Sequence, residues 1–359
     1  MRLCCAMAAI ALLLMQAMAA DTPKPPDTAR NDAGPPVPEL TIRPPSPAAI
    51  QSEAEELLER ARRFSDIRGA ESSPFRLKAN FTFIGDELET FAGTYTEYWV
   101  SDSKWRKEIV VGERKRIEIA GGTKLWTFDS NPMLPEKAER INLAAAVFPS
   151  RAAKLEFGAI DEVPGEQGTR CAVTKPAGPH KGKLALCFDR AHGALVAYIM
   201  PQWTRYHLAQ FSCAYDDFKK FGEQWYPFEM DCRLGGHRQM EVHVTELANE
   251  NFENTHLFAP PVGATELGWC AAGATAPKAD YTPAPLQPSS MRERRSLVTL
   301  RMVVDTTGKP QDIRVISPPD KSLDDIAVGA VERWRFKPAT CNGEPMAQRI
   351  EFEIGFRSY

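Results

Sequence analysis

Apolar and polar residues alternate along most of the chain between residues 75 and 250. In FRLKANFTF, residues 75–83, every second side chain is apolar and most of those between them are polar. Similar runs recur as GTYTEYWV, KEIVV, RIEIA and KLWTFD, and then as the pairs CAVTK with LALCFD, ALVAYIM with HLAQFSCAYDDF, and WYPFEMDCRL with MEVHVTEL. A period of two places successive side chains on opposite faces of a strand. We therefore expect a large, curved antiparallel sheet.

Helical spacing of apolar residues occurs before and within this region. Ser46 and Pro47 suit the start of a helix, and residues 133–157 predict one or two more helices. The apolar positions of the first helix are Ala54, Leu57, Leu58, Ala61 and Phe64. The expected fold class is α+β: a half-barrel-like antiparallel sheet with a few helices, followed by a small ββαβ domain.

The last seventy residues carry the pattern of that small domain. LVTLRMVVD and QDIRVIS, residues 297–305 and 311–317, predict a hairpin. Ser322 and Asp325 can cap a helix whose apolar face ends at Trp334.

The chain then has to turn back. Pro338 cannot extend the helix, which is expected to end near Trp334 or Phe336. Asn342-Gly343 favours a tight turn before a final alternating strand. We expect Trp334 to close the apolar face of the helix and Phe336 to fill the corner.

Proline content divides the 359-residue chain. Residues 21–50 contain nine prolines, and residues 269–290 are also rich in proline and alanine, so both are expected to be linkers. The predicted segments are 1–20 signal peptide, 21–50 linker, 51–268 β-rich domain, 269–290 linker and 291–359 C-terminal domain.

The first twenty residues resemble an export signal, with one positive charge, an apolar stretch and Ala17-Met18-Ala19 before the expected cut. The alternative is an uncleaved anchor, because eighteen residues form about 27 Å of helix. Cleavage is favoured, and it predicts a periplasmic protein.

The charge of the chain is nearly balanced. Lys and Arg total 44 against 47 Asp and Glu, without a long run of either sign, so nucleic acid is not an expected partner.

Six cysteines follow the signal, and an even count in an exported chain favours disulfides. Cys171 and Cys187 are symmetric about Pro179, and Cys213 and Cys232 about the Gly222-Glu223 turn, so simple hairpins would place each pair opposite on neighbouring strands. Pairing of Cys270 with Cys341 follows only by elimination among the fifteen pairings.

No sequence signature of catalysis is present. The six histidines include no His-Glu-x-x-His frame, and no Gly-x-Ser-x-Gly elbow or glycine-rich phosphate loop occurs. His237, Glu241 and His243 come nearest to a cluster, but two-residue steps of about 6.6 Å along a strand set the histidines too far apart to share a metal unless the strand bends. We expect no catalytic residue, metal or cofactor.

The middle region, about residues 55–265, resembles periplasmic lipoprotein carriers of the LolA and LolB type in the order of its elements and in GTYTEYWV, KLWTFD and ALCFDRAHGAL. The resemblance implies a concave apolar face that shelters a lipid or acyl chain. Its candidate lining residues are Phe81, Phe83, Tyr98, Trp126 and Trp203. The alternative for each is an ordinary core position.

Residues 297–356 resemble the TonB carboxy-terminal domain. The match comprises VTLRMVVDTTGKPQDIRVIS, Ser-Leu-Asp-Asp-x-Ala, AVERWRFKPA, Asn-Gly-x-Pro and the final strand. The resemblance implies a non-enzymatic domain that pairs its last strand with an extended segment of an outer-membrane transporter. The implied contact residues are Gln348, Arg349, Ile350, Glu351, Phe352, Glu353, Ile354, Gly355 and Phe356, while Trp334, Phe336 and Pro338 are structural.

These patterns lead to two functional hypotheses. The first is a non-catalytic exported envelope protein that binds a partner by β-strand addition, as an adaptor or in an energy-transducer-like role. The alternative is a periplasmic carrier of lipid or lipoprotein that uses the half-barrel cavity.

Overall fold

A computed structural model describes residues 45–356, apart from 70–71, 86–87, 131–132, 152, 163–167, 177–181, 204–207, 253–254, 271–272, 286–295 and 317–320. The predicted signal peptide and residues 21–44 of the first predicted linker lie outside these residues, whereas residues 47–50 of that linker already belong to a helix. None of the helices in the described part of the chain is both long enough and apolar enough to cross a membrane.

Three α-helices and two 3₁₀ turns lie among the described residues. The helices α1, α2 and α3 are Pro47–Ser65, Ile141–Ala146 and Lys321–Val331, and the 3₁₀ turns are Glu136–Arg140 and Thr255–Phe258. The Ser46 side chain caps α1 by accepting a hydrogen bond from the Ala49 amide at 3.2 Å. Helix α1 therefore begins at Pro47, where the sequence predicts it.

Thirteen strands form one antiparallel sheet, which we call the large sheet. Strands β1–β13 are Phe75–Ile84, Thr90–Ser101, Lys104–Val111, Arg114–Gly121, Lys124–Asp129, Phe157–Glu162, Thr169–Thr174, Ala185–Asp189, Leu195–Trp203, Leu208–Phe221, Gln224–Leu234, His237–Asn249 and Thr265–Gly268. Their spatial order is β13-β5-β4-β3-β2-β1-β12-β11-β10-β9-β8-β7-β6. Nearly every connection is therefore a hairpin, as the alternating runs predict.

One face of the large sheet, which we call the inner face, carries the main core. The odd-numbered apolar residues of β1 point to this face, and all are at most 2% exposed. Helix α2 lies against it, because the hydroxyl of Tyr226 donates to the carbonyl of Ala145 at 2.6 Å. Ala54, Leu58 and Ala61 of α1 belong to the same core.

The remaining strands are short or belong to a second sheet. Strands β14–β21 are Ala274–Thr275, Lys278–Tyr281, Ser296–Val304, Pro310–Val315, Arg335–Lys337, Ala339–Cys341, Glu344–Met346 and Gln348–Phe356. A three-stranded sheet of order β17-β16-β21, the small sheet, packs against α3 through Leu300, Met302 and Ala327. We call residues 296–356 the C-terminal module.

The expected large antiparallel sheet with few helices is confirmed. The α+β class is too broad, because most described elements are strands and the helices cover only parts of the two sheets. Between α3 and β21 the chain also forms three short strands that pair outside the small sheet. The simple ββαβ unit therefore stays an interpretation.

The helix of the module ends earlier than the sequence predicts. Helix α3 ends at Val331, and residues 335–337 form strand β18 instead of a frayed helix end. Strand β18 pairs with β15. This partner lies within residues 269–290, which the sequence predicts to be a linker.

Residues 45–359 cluster as one compact unit.

All three disulfides join the cysteines that the sequence pairs. Cys171 and Cys187 lie directly opposite on β7 and β8, and Cys213 and Cys232 lie opposite on β10 and β11. The third bridge, Cys270 to Cys341, joins the end of the large sheet to strand β19. The C-terminal module is thus covalently tied to the region that precedes it.

Candidate partner-binding edge

Strand β21 is an edge of the small sheet. Its nine residues pair with β16 from Gln348 opposite Val304 to Phe356 opposite Ser296. On its other side no strand in the described ranges is paired with it. All the predicted contact residues therefore lie on one edge strand.

The other edge of the small sheet is built differently. Strand β17 begins with Pro310, and Asp312 has a positive φ of 46°. The pairing of β17 with β16 also shifts register between Arg301 and Val303. Proline and local irregularity are features that protect an edge from pairing with another chain. Because the β16–β21 pairing has no register shift, β21 is the better candidate.

The side chains of β21 alternate between two environments. Ile354 and Phe356 are buried against α3, whereas Glu351, Glu353 and Gly355 are exposed. Phe352 is partly exposed and contacts Trp334, with ring centroids 4.9 Å apart.

Hydrogen bonds hold Trp334 to the segment that precedes the module and hold Phe336 to the module itself. The Trp334 indole N–H donates to the carbonyl of Pro283 at 3.0 Å, and the Phe336 amide donates to the carbonyl of Gly308 at 2.9 Å. Gly308 has a φ of 82°, and a Cβ there would lie 1.8 Å from the carbonyl oxygen of Phe336. This close approach requires glycine. Pro338 lies between β18 and β19.

The face of the small sheet opposite α3 meets the large sheet through charged residues. Arg301 donates to Glu351 at 2.5 Å and to Glu139 at 2.8 Å. Arg116 bonds Asp129 at 2.7 Å and also pairs with Glu139. Arg349 lies 3.6 Å from Asp129 and donates to the Thr127 hydroxyl. We call these charged residues the interface network: Arg116, Asp129, Glu139, Arg301, Arg349 and Glu351.

The interface network is largely buried and balanced in charge. Arg116 and Arg301 are 3% and 4% exposed. Burial favours the neutral form of Asp129, but Arg116, Arg349 and Arg301 outweigh it and hold the pKa of Asp129 below its usual value. Burial raises the pKa of Glu139 above its usual value, although the charges of Arg116 and Arg301 act to lower it. Removing one partner would leave buried charge unpaired.

A main-chain contact fixes the start of β21. The amide of Gly268, in the edge strand β13, donates to the carbonyl of Ala347 at 2.8 Å. Together with the bond of Arg349 to Thr127, this contact holds the first part of β21 against the large sheet. Sequence patterns did not reveal the contact, since its residues are far apart in the chain.

The five predicted lipid-lining residues do not share one face. Phe81 and Phe83 are 2% and 1% exposed on the inner face. The strand register places Tyr98 and Trp126 on the opposite face, where Tyr98 meets Phe252. Trp203 ends β9, and its side chain lies outside the described residues. A common acyl-lining surface is therefore not assembled.

A pocket of about 490 Å³ does lie between α1 and strands β6–β8. Five of its seven lining residues are charged, so it differs from an apolar acyl groove. The lining consists of Leu57, Arg60, Glu162, Arg170, Phe188, Asp189 and Arg190.

Sequence reasoning also missed a buried ion pair on the inner face. Arg68 donates to Glu97 at 3.1 Å, and the Tyr95 hydroxyl donates to Glu97 at 3.0 Å. Burial favours the neutral form of Glu97, but Arg68, Lys107 and these hydrogen bonds lower its pKa. The signal in the sequence was Glu97 itself, because it occupies an apolar position between Tyr95 and Trp99.

His243 and Glu241, from the nearest approach to a histidine cluster, make local contacts with other residues. His243 Nδ1 lies 2.5 Å from a Glu229 oxygen, while Glu241 pairs with Arg238. Among the residues that the structure describes, no group of three or more His, Cys, Asp or Glu side chains could hold a metal ion.

Comparison with known proteins identifies the C-terminal segment. Residues 287–358 match the sequence family described as Gram-negative bacterial TonB protein C-terminal, which confirms that resemblance. No curated protein matches the chain in sequence.

Similar solved structures cover the middle of the chain. A LolA superfamily protein from Nitrosomonas europaea is 9% identical, covers 56% of this chain and 96% of its own, and has a TM-score of 0.38. A putative outer membrane lipoprotein-sorting protein domain from Vibrio parahaemolyticus is 12% identical, with coverages of 57% and 97% and a TM-score of 0.37. A DUF1329 family protein from Desulfovibrio piger is 10% identical, with coverages of 58% and 97% and a TM-score of 0.41.

Proposed function

We propose that this chain is a non-catalytic exported envelope protein whose C-terminal module binds a partner by β-strand addition at β21. The match of residues 287–358 to the TonB C-terminal family supports an envelope protein in TonB-like transport. The partner class that we propose is an envelope protein with an extended segment, such as an outer-membrane transporter.

One observation carries the proposal: β21 is bonded to β16 along its whole length and has no strand on its other side within the described residues. An edge strand leaves main-chain N–H and C=O groups that an incoming strand can bond. Side chains at alternate positions then decide which segment fits.

The strength of such binding is modest. Each added hydrogen bond contributes about 1 kcal/mol net. Four or five bonds therefore correspond to roughly millimolar to high micromolar dissociation constants before side chains contribute. Transient binding of this kind suits an adaptor or a transducer better than a permanent complex.

The docked module favours the adaptor role. The interface network and the Cys270–Cys341 bridge hold the module against the large sheet. A partner captured at β21 would accordingly be kept beside the large sheet, instead of on a freely moving domain. Amino-terminal sequencing of the native protein tests export, since cleavage after Ala19 or Ala20 would leave Ala20 or Asp21 as the first residue.

Labelled peptides from the plug regions of outer-membrane transporters test strand addition. Their binding to the full chain can be followed by fluorescence anisotropy with two N-methylated forms of one peptide. Each form carries methyl groups on alternate residues, which removes N–H donors from one edge of the peptide only. Strand addition predicts that one form binds and the other does not. Equal binding by both forms would refute pairing through the main chain.

A further inference from the structure

We infer that only residues 352–356 of β21 are open to a partner, and that they fit a short extended segment with apolar side chains on one face and basic side chains on the other. This inference rests on the proposed strand addition and names the part of the edge and the chemistry of the partner.

The first part of β21 is already engaged by the large sheet. The carbonyl of Ala347 accepts from Gly268 and Arg349 bonds Thr127, both in the large sheet, while Glu351 bonds Arg301 of β16 in the small sheet. Arg301 continues the network to Glu139 at 2.8 Å. A partner that displaced these contacts would leave buried charges without partners, which strand hydrogen bonds cannot offset. Pairing should therefore stop near Glu351.

The second part of β21 is accessible. Glu353 and Gly355 are exposed, and Gly355 has no side chain to obstruct an approaching main chain. The open stretch of five residues spans about 17 Å at the usual strand rise. Its length therefore limits the partner segment to five or six residues.

Charge selects one face of the partner segment. The Glu353 carboxylate forms no ion pair with any described residue, whereas the neighbouring Glu351 is bonded to Arg301. Opposite charges on facing positions of adjacent strands attract. A lysine or arginine of the partner beside Glu353 would supply the missing charge.

Partly exposed aromatic rings select the other face. Phe352 points to the α3 side of the small sheet and contacts Trp334, and both rings remain partly exposed. An added strand would place alternate side chains on this side. Apolar side chains there would extend the aromatic layer and cover the rings.

The same chemistry disfavours two other occupants. A second copy of β21 would bring its own glutamates beside Glu353, and like charges on adjacent strands repel. Residues 21–44 of this chain are rich in proline, which lacks the N–H that strand pairing needs. A separate protein with an alternating apolar and basic segment fits better.

Hydrogen exchange of the full chain tests the inference with the acetylated, amidated peptide Arg-Val-Arg-Val-Arg-Val as the probe. We expect the exchange rates of the amides of 348–351 to be the same with and without the probe. About half of the amides of 352–356 should slow only when the probe is added. The matched peptide Glu-Val-Glu-Val-Glu-Val should have little effect.

A charge variant tests the partner chemistry separately. Glu353→Gln should weaken probe binding about two- to fivefold, the effect of one exposed ion pair. Glu344→Gln, an exposed glutamate on β20, should leave it unchanged. Equal effects of the two variants, or tighter binding of the acidic peptide, would overturn the charge argument.

The outcomes separate this inference from the proposed function. Slowing of 348–351 by the probe would refute the restriction to 352–356 while supporting strand addition. Slow exchange of all the amides of 352–356 before any probe is added would show that the chain itself or a second copy occupies the edge. Binding of transporter peptides at β21 without binding of the basic probe would overturn only the inferred partner chemistry.

Discussion

Replacing Arg301 by alanine should weaken the attachment of the C-terminal module to the large sheet. Arg301 is the one residue of the small sheet that bonds both Glu351 of its own sheet and Glu139 of the region before it. Its side chain is 5% exposed, and those of Glu139 and Glu351 are 20% and 34% exposed. The substitution leaves Glu139 with Arg116 and leaves Glu351 without its arginine.

The magnitude follows from this geometry. Removing one partner of a fully buried ion pair costs about 3–5 kcal/mol. Because Glu139 keeps Arg116 and Glu351 is a third exposed, we expect a loss of about 2–3 kcal/mol in the free energy of unfolding. Urea denaturation measured by tryptophan fluorescence gives this quantity.

A matched control is available on the same sheet. Arg314 pairs with Asp312 at 2.9 Å, two residues away, and both side chains are more than a third exposed. Arg314→Ala should therefore cost no more than about 0.5 kcal/mol. If Arg301→Ala costs no more than Arg314→Ala, the interface network does not fasten the module, and the reasoning is refuted.

Four further predictions concern the core, a tight turn, a disulfide and the carrier alternative. Glu97→Gln should cost about 3 kcal/mol at pH 7, because it leaves Arg68 buried without its carboxylate. Because folding lowers the pKa of Glu97, the ionised carboxylate stabilises the folded state above about pH 4.5, and this stabilisation is lost as the pH falls further. In unfolding experiments at decreasing pH, the Gln variant should therefore lose less stability than the native protein. Gly308→Ala should lower the free energy of unfolding by about 1–3 kcal/mol, since alanine disfavours a positive φ and has no room there; a loss below 0.5 kcal/mol by urea denaturation would contradict the close approach. Cys270→Ser with Cys341→Ser should cost about 4 kcal/mol in the chain-entropy model for a separation of 71 residues, and an unchanged melting temperature would contradict the bridge. Native mass spectrometry of the purified protein should show the polypeptide mass alone, and a bound lipid would favour the carrier.

Local patterns in the sequence were sufficient to predict most strands. Strict alternation, as in residues 75–83, fixes which side chains of one strand share a face. Hairpin symmetry was enough to pair Cys171 with Cys187, because the two cysteines lie in register on adjacent strands. Such features depend on residues that are close in the chain.

The face that a side chain occupies across several strands could not be predicted in this way. Tyr98 and Phe83 lie on opposite faces only because β1 pairs with β2 in a register that sets Arg76 opposite Tyr98. The alternation within each strand is compatible with either arrangement. The predicted lining set therefore combined residues from both faces.

Contacts between distant segments were also beyond sequence reasoning. Arg116 and Arg301 approach the same carboxylate of Glu139, although 185 residues separate the two arginines. Each arginine lies in a strand, where a charged residue is normally taken to face solvent. The early end of α3 has a similar origin, because pairing of β18 with β15 takes residues 335–337 out of the helix.

The most direct test of strand addition is the set of nuclear Overhauser effects between a bound transporter-plug peptide and the isotopically labelled full chain. Pairing at β21 predicts contacts between peptide main-chain protons and main-chain protons of 352–356, with the β16–β21 pairing unchanged. Contacts only to α3, to β17 or to the large sheet would contradict the assignment of β21 as the partner-binding edge.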